Sequence, residues 1–288
     1  YKESPLVQKA INDMEKYLIA LDMDGTLLNS QGKITKRTVE VLKRLIQRGH
    51  YIVPASGRAL TLLPKEILEL EGIQFAVLEN GSVVWDWKNQ CAIKQYLLPK
   101  GIVKEILEDI EQLITSDYYV EVIADGKAYA DIAIQEDLNH TRIDGNFADY
   151  MKENHIFLEQ LSSQTELLNT AEKLNIYFED NLISKKIREK WKAEPLLSVT
   201  TSVSGNAEFN AAGVNKGCGI EILKEYLHIP KEQCIAIGDN ENDLEMFEQV
   251  QIAVAMGNAK DYVKRAADEV TLSCDEDGAA VFLEQYLD

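Results

Sequence analysis

The chain has 288 residues, 45% of them hydrophobic, and its 48 acidic side chains against 30 Lys and Arg give a formal charge of −18. So acidic a chain argues against nucleic acid or an anionic membrane surface as a partner, and an anionic substrate would need a metal ion and a few local cations to reverse the field. No apolar stretch approaches the roughly 20 residues of a membrane helix.

The length fits one large or two medium domains. Cys91, Cys218, Cys234 and Cys274 form no Cys-x-x-Cys pair and have no close His partners, so they read as buried thiols. The start, Tyr1 to Lys16, is polar and charged, unlike a signal peptide. The expectation is a soluble cytoplasmic protein.

In chain order, Tyr17-Leu18-Ile19-Ala20-Leu21 reads as a strand buried on both faces, as in a parallel sheet, and it ends in Asp22-Met23-Asp24-Gly25-Thr26. Thr35 to Arg48 is predicted helical, with Val39, Leu42, Leu45 and Ile46 on one face and Gly49 as the stop. A strand at Tyr51-Ile52-Val53 ends at Ser56-Gly57-Arg58. A helix near Ala59 to Leu70 and a strand Phe75 to Leu78, ending at Glu79-Asn80-Gly81, follow. This alternation favours a parallel sheet with right-handed crossovers.

The pattern changes near Trp85. Val83 to Trp85 and Ile93 to Leu97 look like a hairpin turned at Lys88-Asn89-Gln90. After Pro99 come a helix (Ile102 to Leu113) and a hairpin of Tyr118 to Ile123 with Ala128 to Ile134. Helices follow around Phe147 to Glu153 and Leu167 to Leu174, then a strand from Asn175 to Phe178. A basic helix from Ile183 to Trp191 leads to a hairpin around Ser204-Gly205-Asn206. Parallel α/β resumes after Asn210, with a helix from Lys216 to Leu227 and the strand Cys234 to Ile237, which ends at Gly238-Asp239. Next come a short helix (Leu244 to Val250) and strands at Ile252 to Ala255 and Val270 to Leu272. The expected organisation is a core of residues 1–98 and 199–288 with an inserted α+β domain over 99–198.

Strand ends therefore carry Asp22 and Asp24, Ser56 and Arg58, Asn80, and Asp239, and Lys216 joins them at a helix start. Ligands in open α/β sheets bind at the carboxyl ends of strands. This set suits phosphoryl transfer through an aspartyl-phosphate. A hard, octahedral Mg2+ takes carboxylate, carbonyl and phosphate oxygens. Asp22 and Asp239 would be direct ligands, Asp24 would offer its carbonyl, and Asp243 would hold a water on the metal. Asp22 would attack phosphorus, while Asp24 would protonate the leaving alkoxide and later take a proton from water. Ser56, Lys216 and backbone N–H groups of the Asp22–Asp24 turn, Met23 among them, would neutralise the equatorial oxygens.

In their order along the chain, Asp22-Met23-Asp24-Gly25-Thr26, Ser56-Gly57-Arg58, Lys216 and Gly238-Asp239-Asn240-Glu241-Asn242-Asp243 resemble the four motifs of the haloacid dehalogenase-like (HAD) superfamily. The insertion between the second and third motifs looks like the large α/β cap of the Cof-type sugar-phosphatase branch, and Asn80-Gly81 before a hairpin is similar to that branch too. The likeness covers the chain from Lys16 onward. It implies a Mg2+-dependent phosphatase with a Rossmann-like parallel-sheet hydrolase core and an inserted cap. It assigns the nucleophile to Asp22 and acid–base work to Asp24. Metal binding falls to Asp22, Asp24 and Asp239, and phosphate contact to Ser56, Gly57, Lys216 and Asn242.

Plainer readings stand beside this one. In a calcium loop the glycine falls sixth and an acid closes the loop at position twelve; here Gly25 is fourth and Lys33 stands at the closing position. Arg58 either touches substrate, holds the cap or pairs with an acid. Asn80 is a turn former or a site residue. His140, Arg142, Asp144 and Asn146 either read the substrate or form a solvated loop. The expected activity is hydrolysis of a small phosphorylated metabolite by a monomer or homodimer. A phosphomutase using the same aspartyl-phosphate and a non-catalytic metabolite-binding protein are the alternatives.

Overall fold

The computed structural model describes residues 16–114, 118–137, 151–202 and 204–287. The chain divides into two compact units. The first comprises the described residues up to Ser56, Pro64–Lys94 and the chain from Lys216 onward; the second comprises Gly57–Leu63 and Gln95–Asn215. The strands are β1 (Leu18–Leu21), β2 (Tyr51–Pro54), β3 (Phe75–Leu78), β4 (Val83–Asp86) and β5 (Cys91–Gln95), then β6 (Tyr118–Ala124), β7 (Lys127–Asp131) and β8 (Ile156–Leu158). After these come β9 (Lys173–Phe178), β10 (Leu197–Thr200), β11 (Asn206–Ala211), β12 (Cys234–Gly238), β13 (Ile252–Ala255) and β14 (Glu269–Val270).

The first unit is built on a parallel sheet of order β14-β13-β12-β1-β2. All four residues of β1 are buried, as a central strand covered on both faces demands. Leu18 pairs with Cys234 on one side and with Tyr51 on the other. β3 follows β2 through the parallel Ala55–Val77 bridge and then turns antiparallel into β4 and β5. The chain leaves β1 toward β2 and returns on the opposite side as β12. The carboxyl ends of β1 and β12 therefore flank a topological switch point, where open α/β sheets bind ligands.

Local chemistry sets the crossovers. In the helix Lys36–Gln47, the Thr35 side chain accepts the Thr38 N–H at the N-terminus, and Thr38, Val41, Leu42 and Leu45 face the core. The helix Lys216–Leu227 lies against β3 at Gly219, where a Cβ would come 2.4 Å from Val77 Cγ1. Pro64 divides the helix expected from Ala59 to Leu70 into a 3-10 turn, Leu60–Leu62, and a short helix, Lys65–Leu68. The residue before a proline resists the helical region, which explains the break. Cys234 is buried at the start of β12, whereas Cys91 is exposed on β5, contrary to the buried-thiol reading. The helices Asp261–Ala266 and Gly278–Leu287 had no counterpart in the sequence-based reading.

In the second unit, six strands run in the order β10-β11-β9-β6-β7-β8. The inserted segment expected over 99–198 is longer in this division. β10 and β11 extend the six-stranded sheet, and Ala59 and Leu62 cluster with Ile123 and Ala128. The strand expected from Ala128 to Ile134 stops at Asp131, where the helix Ile132–Asp137 begins. The helix near Leu167 to Leu174 is only Thr165–Leu168, and Leu174 belongs to β9. Of the helix expected around Phe147 to Glu153, residues 147–150 lie outside the described residues, as do His140, Arg142, Asp144, Asn146 and Tyr1 to Glu15.

β9 explains both faces of this sheet. Its alternation Lys173-Leu174-Asn175-Ile176-Tyr177-Phe178 is a period of two. Leu174, Ile176 and Phe178 join Val122, Ala207 and Phe209 in the apolar core beneath the helices Ile102–Leu113 and Asn181–Trp191. The opposite face buries charge. Lys173 Nζ lies 3.2 Å from Glu208 Oε2 and donates to the Gly57 carbonyl at 2.9 Å. Asn206 Nδ2 and Ser202 Oγ both donate to Glu208 Oε1. Glu121 meets His155 at 2.5 Å. Burial works against the Glu121 carboxylate, but His155 and then Lys173 outweigh it and hold it below the usual carboxylate range. Removing one partner of such a buried pair leaves an uncompensated charge. We therefore expect Lys173→Met to destabilise the second unit by about 3–5 kcal/mol. Lys173→Met with Glu208→Gln together should recover part of that loss, as urea unfolding would show.

Candidate active site

β1 delivers Asp22 at its carboxyl end, where the Asp22 N–H still donates to Ile237 O of β12 at 3.0 Å. The chain then turns back, with Leu27 N–H on Asp22 O and Leu28 N–H on Met23 O. Gly25 sits in that turn at φ +83°, and a Cβ on it would fall 2.5 Å from Asp239 Oδ2. Backbone and space both call for glycine there.

β12 delivers Asp239 in parallel fashion. Asn240 then caps a 3-10 turn, Glu241–Asp243, which directs Asp243 back toward the strand end. Asp243 Oδ2 accepts the backbone N–H groups of Asp239 at 2.8 Å and Asn240 at 3.0 Å. Its Oδ1 receives Lys216 Nζ at 2.6 Å, and the same ammonium reaches Asp22 Oδ1 at 2.5 Å. Lys216 opens its helix and has no exposed surface. A cation at a helix N-terminus opposes the dipole, and here two carboxylates offset that cost.

The charges are crowded. One ligand oxygen from each of Asp22, Asp239 and Asp243 lies within 4.8 Å of the others. Burial and then the Asp243 charge push the Asp239 carboxyl up to about 7. Burial and Asp243 also raise Asp22 well above the carboxylate range, against the pull of Lys216. Burial works against the Lys216 ammonium, yet Asp22 and Asp243 overcome it and push its pKa up. An all-oxygen cluster that repels itself in this way fits a hard divalent cation, which prefers carboxylate and carbonyl oxygens.

A match to a family model described as haloacid dehalogenase-like hydrolase runs over residues 19–283. The chain belongs to that HAD-like hydrolase family. Among its relatives is the Bacillus subtilis 5-amino-6-(5-phospho-D-ribitylamino)uracil phosphatase YitU, 30% identical over 280 residues, with 95% of this chain and 98% of YitU covered. A second B. subtilis protein described by the same activity, YcsE, is 27% identical over 275 residues, covering 96% of this chain and 97% of its own length. A solved haloacid dehalogenase-like hydrolase from B. subtilis superposes with a TM-score of 0.80 at 26% identity, covering 94% of this chain and all of that one. The insertion and motifs place this HAD-like chain in the Cof-type branch.

Within this HAD-like core, Asp22, Lys216, Asp239 and Asp243 come together as described. Asp24 is exposed beside them, its backbone bridging to Leu28 and its charge adding to the upward push on Asp239. The Met23 side chain is fully buried, and its carbonyl accepts the Thr26 and Leu28 N–H groups. Ser56 and Asn242 are buried in the same unit, and Asn242 Nδ2 donates to Asn80 Oδ1 at 3.1 Å. Gly57 and Arg58 fall in the second unit, where the Arg58 guanidinium donates to Leu62 O at 3.0 Å.

Sequence reasoning missed two residues on Asp239. Thr26 Oγ1 lies 3.4 Å from its Oδ1. Asn258 Nδ2 donates to its Oδ2 at 3.3 Å and to the Gly25 carbonyl at 2.9 Å, while Asn258 Oδ1 accepts the Cys274 N–H. The only hint of Asn258 was its place just beyond the carboxyl end of β13. Among the described residues, no helix is long and apolar enough to cross a membrane.

Proposed function

We propose that this chain is a divalent-cation-dependent phosphatase of small phosphorylated metabolites that works through an aspartyl-phosphate on Asp22. The observation that carries this reading is the Lys216 ammonium held between Asp22 Oδ1 and Asp243 Oδ1 at two adjacent strand ends. A nucleophilic carboxylate must be ionised, and Lys216 is the cation that opposes the upward push of burial and Asp243 on Asp22. In the first step an Asp22 carboxylate oxygen forms a bond to phosphorus as the ester P–O bond breaks. Asp24 gives its proton to the departing alkoxide. In the second step Asp24 takes a proton from water as the water oxygen bonds to phosphorus. The bond between phosphorus and Asp22 then breaks, releasing phosphate and the free carboxylate.

Asp22, Asp239 and the Asp24 carbonyl would hold Mg2+, with Asp243 bracing the site through Lys216 and the Asp239 and Asn240 N–H groups. The bound cation would supply neutralisation of the phosphoryl oxygens. Ser56, Gly57, Lys216, Asn242 and the backbone at Met23 are assigned to the phosphoryl oxygens, and Arg58 to the substrate. The second unit is assigned the role of cap, supplying substrate choice. YitU and YcsE are named for a phosphorylated ribitylaminouracil, so that compound heads the candidates, with sugar phosphates and phosphorylated vitamins beside it. The test is inorganic phosphate release from such a panel with and without Mg2+. Release that ignores Mg2+, or none from any compound by folded protein, would overturn the reading.

Protons and cation compete at Asp239. A carboxyl held near 7 when folded, against an ordinary 3.8, stabilises the metal-free fold at low pH, and that contribution is lost as pH rises through about 7. A cation binding the ionised form restores stability where protons no longer do. Mg2+ should therefore raise the thermal unfolding midpoint more at pH 8 than at pH 6. Equal shifts at both pH values would remove Asp239 from the cation site.

A further inference from the structure

Asn80 sits in a run of three left-handed residues, Glu79 at φ 55°, Asn80 at φ 56° and Gly81 at φ 102°. Glycine meets such a backbone without steric cost, and asparagine is among the side chains that tolerate it. The turn alone would therefore be served by glycine at 80, and what the Asn80 side chain touches becomes the informative point. Its Oδ1 accepts Asn242 Nδ2 at 3.1 Å, with both residues buried. Its backbone N–H donates to the Ser56 carbonyl at 3.0 Å, and the Ser56 N–H donates to Val77 O at 2.8 Å. One residue on the β3–β4 connection thus joins the Ser56 main chain, which follows β2, to the Asn242 side chain, which follows β12.

We propose that Asn80 is a positioning residue for phosphate recognition, acting through Asn242. This rests on the reading of Asn242 as a phosphate contact. An Asn side-chain amide carries two N–H donors in one plane. Committing one of them to Asn80 Oδ1 fixes that plane, and with it the direction of the second, which is the donor a phosphoryl oxygen needs. Without Asn80 Oδ1 the Asn242 amide rotates among other arrangements, and the ordering must be supplied when phosphate binds. The loss then falls on the binding of substrate and of phosphate, and not on the aspartyl-phosphate steps at Asp22.

A double-mutant cycle on the full-length enzyme tests this, using Asn80→Gly, Asn242→Ala and the pair. Glycine suits the left-handed backbone, so Asn80→Gly keeps the turn while deleting the contact, and thermal unfolding checks that the fold persists. The readouts are KM and kcat for p-nitrophenyl phosphate at saturating Mg2+ and the inhibition constant of inorganic phosphate. Each single variant should raise KM and the phosphate inhibition constant about tenfold, with kcat changed far less. The pair should be no worse than Asn242→Ala alone. Losses that multiply in the pair, or a phosphate inhibition constant untouched by Asn80→Gly while Asn242→Ala raises it, overturn the positioning role and leave Asn242 as a phosphate contact. An inhibition constant unmoved by Asn242→Ala removes Asn242 from the phosphate site, and Asn80 with it.

Discussion

Asp22→Asn should abolish phosphate release, with kcat falling by at least roughly four orders of magnitude, while the folded protein remains. Loss of a covalent nucleophile removes the reaction path itself, and the residual rate then comes from binding and electrostatics alone. The amide keeps an oxygen that can accept Lys216, which now stands 2.5 Å from Asp22 Oδ1. It also deletes one negative charge from a cluster in which burial and Asp243 already push Asp22 up. Stability of the metal-free variant should therefore equal or exceed that of the parent at pH 8, where carboxylate crowding is greatest. Paired measurements of phosphate release and of the urea midpoint separate the two effects. A variant that unfolds would make Asp22 a structural residue, and one that turns over at the parental rate would remove it from the chemistry.

The parts of the fold that sequence alone could reach are those where one signal dominated. β1 and β12 are short, wholly apolar runs ending in aspartates, and both lie buried in the parallel sheet with Asp22 and Asp239 at their carboxyl ends. The helix read from Lys216 to Leu227, with Ile220 and Leu223 turned inward, has those same bounds in the structure. Where two periods competed, local pattern gave way to tertiary pairing. Leu167, Leu168 and Leu174 suit a helix face, but Leu174 also fits the alternation of β9, and pairing with β6 and β11 decides for the strand. The buried charges of the second unit could not be foreseen, since Lys173, Glu208 and Glu121 read as ordinary surface residues until the sheet sets them side by side. Asn258 and Thr26 escaped for a related reason. Each contributes through a contact with Asp239 that depends on separate loops meeting, and neither residue type is rare in a turn.

Lys216→Met should cost about 3–5 kcal/mol, because it leaves two buried carboxylates without the cation that both now touch. The pH dependence identifies the cause. Burial and Asp243 hold Asp22 above its ordinary range even with Lys216 opposing them; without the ammonium that upward push is unopposed. An acid raised in the folded state favours folding at low pH, and that contribution disappears as pH rises through its folded value. In the absence of Mg2+, the deficit of Lys216→Met relative to the parent should be largest near pH 8 and shrink toward pH 5, where the proton takes over part of the work of the ammonium. Urea unfolding of both proteins across that range measures it. A deficit independent of pH would show that Lys216 matters through the packing of its aliphatic stem alone. A deficit that vanishes in acid, together with turnover lost at every pH, is the result expected if one ammonium both holds the metal-free cluster together and neutralises the phosphoryl group during the reaction.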